Sequence, residues 1–324
     1  MEHPFAEFIR ILGRGKRGAR DLTEDEAFRA FNMILAHEAK PEQIGALLML
    51  LRIKEETGSE LAGFIRAARA NLVVPTHLPP IDLDWSSYAG KRRQLPWFLL
   101  SILLLAKNGV RVFVHGLRER DDSRLYTRAA LHALGYDEAT TIEQAIVAIE
   151  QHGFAFMSLD NLAPQLSELL ALRDLMGLRS PVNSVVRALN PLRASHSLLG
   201  IFHPSYLGIH RDAAIALRES HVGVIKGEGG ELERNPDVSC ELTEVHGGEV
   251  STATFPALFS QRHMKDTAMD AKLLAAVWRG DVDDEYGTAA TIGTAAIALK
   301  ILGRAANTVE ADKLAQAWWR AHVA

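Results

Sequence analysis

IDLDWSSYAGKRRQLPWFLLSILLLAKNGVRVFVHG, residues 81–116, runs from an extended segment into an apolar helix and back to an extended segment. Ile81–Trp85 alternates as a strand does, and Leu95–Lys107 is apolar over a helical length. Asn108-Gly109 marks a turn before a second strand, Arg111–Val114. A strand, a short loop and a helix N-terminus together make an anion cradle. Here the loop, Ser86–Gln94, holds Gly90 followed by three consecutive cations, Lys91, Arg92 and Arg93.

The pattern changes on either side. Up to about Leu72 the chain reads as helical. Thr23-Glu24-Asp25-Glu26 is a capping box, with Thr23 placed to accept the Glu26 amide and Glu26 to reach back. Pro41 suits a first helical position, and Ile44, Leu47, Leu48 and Leu51 recur at helical spacing. A third helix begins near Ser59-Glu60 and runs through Phe64, Ile65 and Ala68. Val74-Pro75-Thr76-His77-Leu78-Pro79-Pro80 is a stiff extended connector, which places a domain crossing there. Downstream, Tyr126–Leu134 and Ile142–Gln151 read as helices, and Phe154–Met157 and Ser220–Gly227 as strands. Thr243–Phe259 reads as a hairpin around Gly247-Gly248, and the tail from Asp266 as helical. The expected fold class is α/β. A small all-α domain spans residues 1–76, joined by a later helical contribution near 160–190. A large α/β domain with a mostly parallel sheet spans 77–324.

Composition narrows the class of protein. Across 324 residues, 48% apolar and 23% charged side chains are ordinary for a soluble globular chain. The single cysteine, Cys240, excludes an internal disulfide framework, fits a reducing compartment and has no adjacent cation to activate it. Met1–Phe5 lacks a cationic segment followed by an apolar one, and Leu95–Ala106 is too short to span a bilayer. The expectation is a cytoplasmic protein with no membrane partner. With a net charge of −4, any polyanion must be bound through a local patch.

Several stretches together resemble a family. Residues 10–70 resemble the helical domain of anthranilate phosphoribosyltransferase and the pyrimidine nucleoside phosphorylases, with Arg52-Ile53-Lys54-Glu55 similar to an "R-x-K-G" helix end. Val114–Arg118 is similar to "K-H-G-N-R". Arg173–Asn183, followed by Leu189-Asn190-Pro191, resembles "R-x-x-L-G-x-R-T-x-F-N…L-x-N-P". Gly200–Leu207 and Val224–Gly230 resemble "G-V-Y-x-P-E-L" and "V-V-H-G-x-x-G". The resemblance implies a nucleoside phosphorylase/phosphoribosyltransferase type of fold and a homodimer joined through the α domain.

The same resemblance exposes departures. The family's glycine-rich phosphate loop, "G-T-G-G-D", falls on Ser86-Ser87-Tyr88-Ala89-Gly90, whose side chains obstruct a close backbone approach to pyrophosphate. Its metal-holding acidic pair becomes Leu232-Glu233, and a magnesium–pyrophosphate site needs hard oxygen ligands and phosphate-facing amides together. The expectation is lost phosphoribosyl transfer, with no catalytic residue, cofactor or metal.

Cations stand in their place. Lys91, Arg92 and Arg93 sit at the mouth of the old phosphate site, and Arg118, Arg120 and Arg124 come from the loop after the next strand. Arg173 and Arg179 match positions lining the family's acceptor pocket, and Arg14, Lys16 and Arg17 lie on an early glycine-rich loop. Such loops can follow a phosphodiester backbone, with Tyr88 or Trp97 offering a stacking face. This resembles the YbiB-like branch of the family, which implies nucleic-acid binding on the retained fold.

Each feature also has a structural reading. The triplet and Gly13–Arg20 can be solvated loops, and Arg118, Arg120 and Arg124 can pair with Glu119, Asp121 and Asp122. Arg173 and Arg179 can pair with Asp174 or Glu168, Tyr88 and Trp97 can be packing residues, and His115 a hydrogen-bonded strand-end histidine. Glu231 and Glu233 read as surface carboxylates, with a divalent ion as the alternative. Two functions stand. One is a nucleic-acid-binding dimer with little sequence preference. The other is a transferase for a phosphorylated or nucleotide-like substrate, in which Lys91–Arg93 hold phosphate and Glu233 holds Mg2+.

Overall fold

The computed structural model describes residues 2–15, 17–264 and 269–324. Four helices open the chain: α1 (Ala6–Gly13), α2 (Glu24–Leu35), α3 (Pro41–Lys54) and α4 (Gly58–Ala70). The capping box at α2 is present, Thr23 Oγ1 accepting from the Glu26 amide at 3.2 Å and Glu26 Oε2 from the Thr23 amide at 2.9 Å. Pro41 occupies the first turn of α3. A second capping box starts α4, between Thr57 and Glu60. The fully buried Glu60 carboxylate also accepts from the Leu22 amide and pairs with Lys54 Nζ at 2.7 Å, tying three helix connections together.

The remainder follows in chain order. β1 (Leu83–Ser87), α5 (Phe98–Lys107), β2 (Val112–Gly116), α6 (Thr127–Ala133), α7 (Ile142–His152) and β3 (Phe154–Ser158) come first. Then come α8 (Leu159–Leu162), α9 (Pro164–Met176), α10 (Val182–Arg187), β4 (His196–Ile201), α11 (Tyr206–Ala216) and β5 (His221–Lys226). A hairpin of β6 (Cys240–His246) and β7 (Glu249–Phe255) leads to α12 (Lys272–Trp278), α13 (Glu285–Ile301) and α14 (Thr308–Val323). The strands form one sheet in the order β3-β2-β1-β4-β5-β6-β7. β1 to β5 are parallel, and β6 and β7 add antiparallel to the β5 edge.

Every residue of β1, β2 and β3 is buried, because both faces of the sheet are covered. Phe113, Ala155 and Met157 face a core shared with α1–α4 and with Leu166, Val185 and Leu189. Val112, Val114 and Phe154 face the other way, onto α5, α13 and α14. α10 packs directly on α4. Among the described residues no helix is long and apolar enough to cross a membrane.

The structure adjusts three sequence expectations. β1 extends to Ser87 because Ser86 and Ser87 pair with His115 and Gly116. α5 starts at Phe98, after Pro96, and the tail's expected start at Asp266 lies outside the described residues. β4 escaped the sequence reading, since a six-residue strand covered on both faces shows no alternation.

Candidate functional site

β1 and β4 lie side by side at the sheet centre, where the direction of the crossovers reverses. In open α/β sheets the ligand crevice lies at this switch, outside the carboxyl ends of the strands. The loops after β1, β2, β4 and β5 all open there, and they carry most of the cations singled out from sequence.

The β1 loop is an anion cradle, and its occupant belongs to the chain. The Ala89 and Gly90 amides donate to a single oxygen, Glu231 Oε1, at 2.7 and 2.6 Å. Gly90 takes φ +67°, a left-handed backbone, so the two consecutive amides turn toward one point. Glu231 is only 1% exposed. Burial raises its pKa, opposed first by the positive charge of Arg187 and then by the two amides. The segment that delivers it threads past two glycines. A Cβ on Gly227 would stand 1.7 Å from the Glu231 carbonyl oxygen, and one on Gly200 2.5 Å from the Leu232 amide.

A second carboxylate closes the same loop. Glu233, fully buried, takes Lys91 Nζ on Oε1 at 2.5 Å and the Phe98 amide at the start of α5 on Oε2 at 2.9 Å. Burial pushes the Glu233 carboxyl up, against the pull of Lys91. Lys91 itself is 2% exposed and its backbone bridges to Leu125.

These contacts correct three expectations and bear on one alternative, the divalent ion. Lys91 is not at the mouth of an open site, because a buried ion pair consumes its charge. Glu231 and Glu233 are not surface carboxylates. Tyr88 has no stacking face to offer: it is buried, with its hydroxyl 2.7 Å from His115 Nδ1. The residues also do not fit a divalent ion, since Leu232 has no ligand atom and both Glu233 oxygens are engaged. Among the described residues no group of three or more His, Cys, Asp or Glu is placed to hold a metal.

Around this closed cradle lies a rim of arginines. Arg92 and Arg93 are exposed. Arg173 and Arg179 are exposed too, and no ion pair holds either among the described residues. Desolvation of its guanidinium against the rim, then the positive charges of Arg173 and Arg124, lower the pKa of Arg179, which places these three arginines within electrostatic reach of one another. Arg124 is more committed: its Nη1 donates to the Ala89 and Gly90 carbonyls at 3.0 and 3.1 Å, and its Nε lies 3.3 Å from Asp121. It braces from outside the Ala89–Gly90 peptide, whose amide is one of the two that hold Glu231, and the peptide that follows it. Arg120 is spent on Ser167 Oγ, and Arg118 approaches Glu138 at 3.4 Å, while Glu119 pairs with Arg128 instead. Arg14 and Arg17 are exposed, and among the described residues no hydrogen bond joins their loop to the crevice. Lys16 lies outside the described residues.

Beside the rim a cleft of about 340 Å³ opens between the helical body and the sheet, lined by Arg52, Arg179, Arg187, Phe202, Tyr206 and His210 among others. Arg52 donates to the Tyr206 hydroxyl at 2.8 Å, and Phe202 is 55% exposed. Burial pushes the His210 imidazole down to about 3, so it lines the cleft as a neutral group. Cys240 is buried with its thiol raised to about 11, consistent with an inert side chain.

Sequence reasoning missed Glu231 and Arg187. The Glu231 contacts span 142 and 141 residues, and no local pattern announces a pairing of that reach. The run Gly227-Glu228-Gly229-Gly230-Glu231 gave the only signal, a pliant backbone ending in a carboxylate.

A small helical body joined to a mostly parallel sheet, with the loops after β1, β2, β4 and β5 meeting at the switch point, defines a two-part α/β protein with its crevice at the sheet centre. The glycosyl transferase family helical bundle domain matches residues 6–72, and the glycosyl transferase family a/b domain matches residues 99–321. The chain belongs to this glycosyl transferase family. It is 30% identical over 240 residues to the protein YbiB of Escherichia coli strain K12, covering 72% of this chain and 73% of that one. It is 29% identical over 316 residues to an anthranilate phosphoribosyltransferase of Methylocella silvestris, covering 95% and 89%. Among solved structures, anthranilate phosphoribosyltransferase (TrpD) of Thermus thermophilus superposes with a TM-score of 0.80 at 24% identity, covering 99% and 96%. The Saccharomyces cerevisiae enzyme in complex with PRPP and Mg superposes with a TM-score of 0.77 at 14% identity, covering 98% and 94%. The solved structures carry the fold: a small N-terminal helical domain and a larger α/β domain.

Proposed function

We propose that this chain is a nucleic-acid-binding protein built on the glycosyl transferase fold, with phosphoribosyl transfer lost and little preference for sequence. One observation carries the reading: the cradle is filled by the chain's own Glu231, while among the described residues no ion pair holds Arg92, Arg93, Arg173 or Arg179 on the rim around it. A filled cradle cannot accept a pyrophosphate, and converging uncompensated arginines suit a phosphodiester backbone. Arg92, Arg93, Arg173 and Arg179 are the contacts, with Phe202 in place of Tyr88 as the exposed ring for stacking. The helical body, residues 1–76 with the helices near 160–190, serves as the surface of a homodimer. Its exposed Ile53 (82%) and Leu175 (84%) are the support for that assignment.

The test is the salt dependence of oligonucleotide binding, read by fluorescence anisotropy. Each phosphate contact on a single strand adds about 0.7 to the log–log slope. Replacing Arg92, Arg93, Arg173 and Arg179 by Ala should flatten the slope by about 2–3 and weaken all sequences alike. Replacing Arg10, which pairs with Glu2 away from the crevice, should leave the slope unchanged. An unaltered slope in the quadruple variant sinks the reading.

A second reading, a transferase acting on a phosphorylated or nucleotide-like substrate, draws on the relatives named anthranilate phosphoribosyltransferase. It requires Lys91 and Glu233 to separate, since each now neutralises the other. Micromolar, magnesium-dependent binding of phosphoribosyl pyrophosphate by calorimetry would decide for it.

A further inference from the structure

A cavity of about 660 Å³ opens outside the ends of β4 and β5 and the start of β6. Ile201, Lys226, residues 235–241 and the loop after β7 wall it, and none of the rim arginines lines it. We propose that this cavity is a second ligand site, and that it takes a small zwitterion, an α-amino acid with an aliphatic side chain.

Three observations lead there. First, the wall is built before any ligand arrives. The Asp237 carboxylate, 6% exposed, holds His263 twice, the ring Nδ1 at 2.7 Å and the backbone amide at 2.9 Å. The Asp237 amide donates to Asn235 Oδ1 at 2.9 Å, and Asn235 Nδ2 donates to Glu228 Oε2 at 2.9 Å. The Leu258 amide donates to the Pro236 carbonyl at 2.8 Å, which pins the loop after β7 to the same segment. Hydrogen bonding to Asp237 raises the His263 pKa against desolvation, so that pair is balanced within itself. A wall fixed in this way costs a ligand little ordering.

Second, charges of both signs line the cavity uncommitted. β5 and β6 end side by side there, with Ile225 opposite Leu242, so Lys226 and Glu241 follow as neighbours. Arg262 joins them from the loop after β7. All three are exposed, and among the described residues no hydrogen bond or ion pair engages their side chains. A ligand of one sign would leave the opposite charge uncompensated, whereas a carboxylate and an ammonium on one carbon satisfy both. Third, Ile201, Leu207 and Val238 supply an apolar stretch of the same lining, suited to an aliphatic side chain. A largely apolar cavity with a few convergent polar groups is the usual form of a small-molecule site. The site is independent of the nucleic-acid reading, which depends on the rim arginines, and the salt-slope experiment stands or falls without it.

The test titrates the full chain at neutral pH and constant ionic strength with L-leucine, 4-methylpentanoate and 3-methylbutylamine, read by amide resonances. The second probe lacks the ammonium and the third lacks the carboxylate. Leucine should move the Ser239 and His263 amides saturably with a Kd of about 1 mM or tighter, leaving Ala89 and Gly90 still. Each one-charge analogue should bind at least about 10-fold more weakly. Arg262→Gln, at an exposed position that leaves folding intact, should weaken leucine by about 5-fold or more and leave the amine unchanged. Glu241→Gln should weaken leucine similarly and leave the carboxylate analogue unchanged. Leucine that does not saturate by about 50 mM overturns the proposal. So does an analogue that binds as tightly as leucine, or either variant binding leucine like the wild type.

Discussion

Lys91→Met isolates the buried pair that closes the β1 loop. Lys91 and Glu233 are 2% and 0% exposed, and Nζ lies 2.5 Å from Oε1, with the Glu228 carbonyl at 3.4 Å as its other contact. Methionine matches the length of the aliphatic stem but carries no charge, so the variant strands a carboxylate in a water-free site. Breaking a buried pair from one side costs about 3–5 kcal/mol, whereas replacing both partners by neutral groups of similar shape is close to neutral. Lys91→Met should therefore lose about that much against urea, and adding Glu233→Gln should recover most of it.

The loss should also depend on pH with a definite sign. Burial already holds the Glu233 carboxyl above its ordinary value, and without Lys91 it moves higher. Between the unfolded value and that raised one, the folded chain binds more protons, so stability falls as pH rises through the window. The penalty should be largest near about pH 8 and shrink toward about pH 5. A cost below about 1 kcal/mol that is flat with pH would mean Glu233 is solvated and the loop open, refuting the closed cradle. Oligonucleotide binding by the folded Lys91→Met chain should keep the wild-type salt slope, which separates Lys91 from Arg92 and Arg93.

Two further outcomes follow from other parts of the molecule. His210, held neutral down to about 3, is lower in the folded than in the unfolded chain, so its contribution is present above about pH 6.5 and lost as pH falls toward 3. Acidification across that window should cost wild type on the order of 4 kcal/mol more than Glu or Asp titration alone explains, and His210→Gln should flatten that limb in urea midpoints measured against pH. Ile53→Asp with Leu175→Asp, both at exposed positions on the helical body, should leave the fold intact and give a sedimenting monomer where wild type gives twice the chain mass. A wild-type monomer would remove the dimer reading.

Much of the fold was legible in local sequence because its signals are local. Thr23 and Glu26 start α2, Pro41 starts α3, and the alternation of strand and helix through residues 81–116 sets a parallel sheet. Gly247-Gly248, both left-handed, make the β6–β7 hairpin. The tightly spaced motif at 173–191 named the family correctly. The site was only half legible. The resemblance to the family identified which loop lacks its glycines, and the sequence shows directly which loops carry arginines. It could not say which charges remain free. Lys91 and Arg92 are neighbours in the chain, yet one is sealed against Glu233 and the other faces solvent. That difference comes from β5 lying beside β4, which brings residues 231 and 233 back across the end of β1. Charge pairing over 142 residues is decided by strand order, because only the assembled sheet sets which loops share a low-dielectric space.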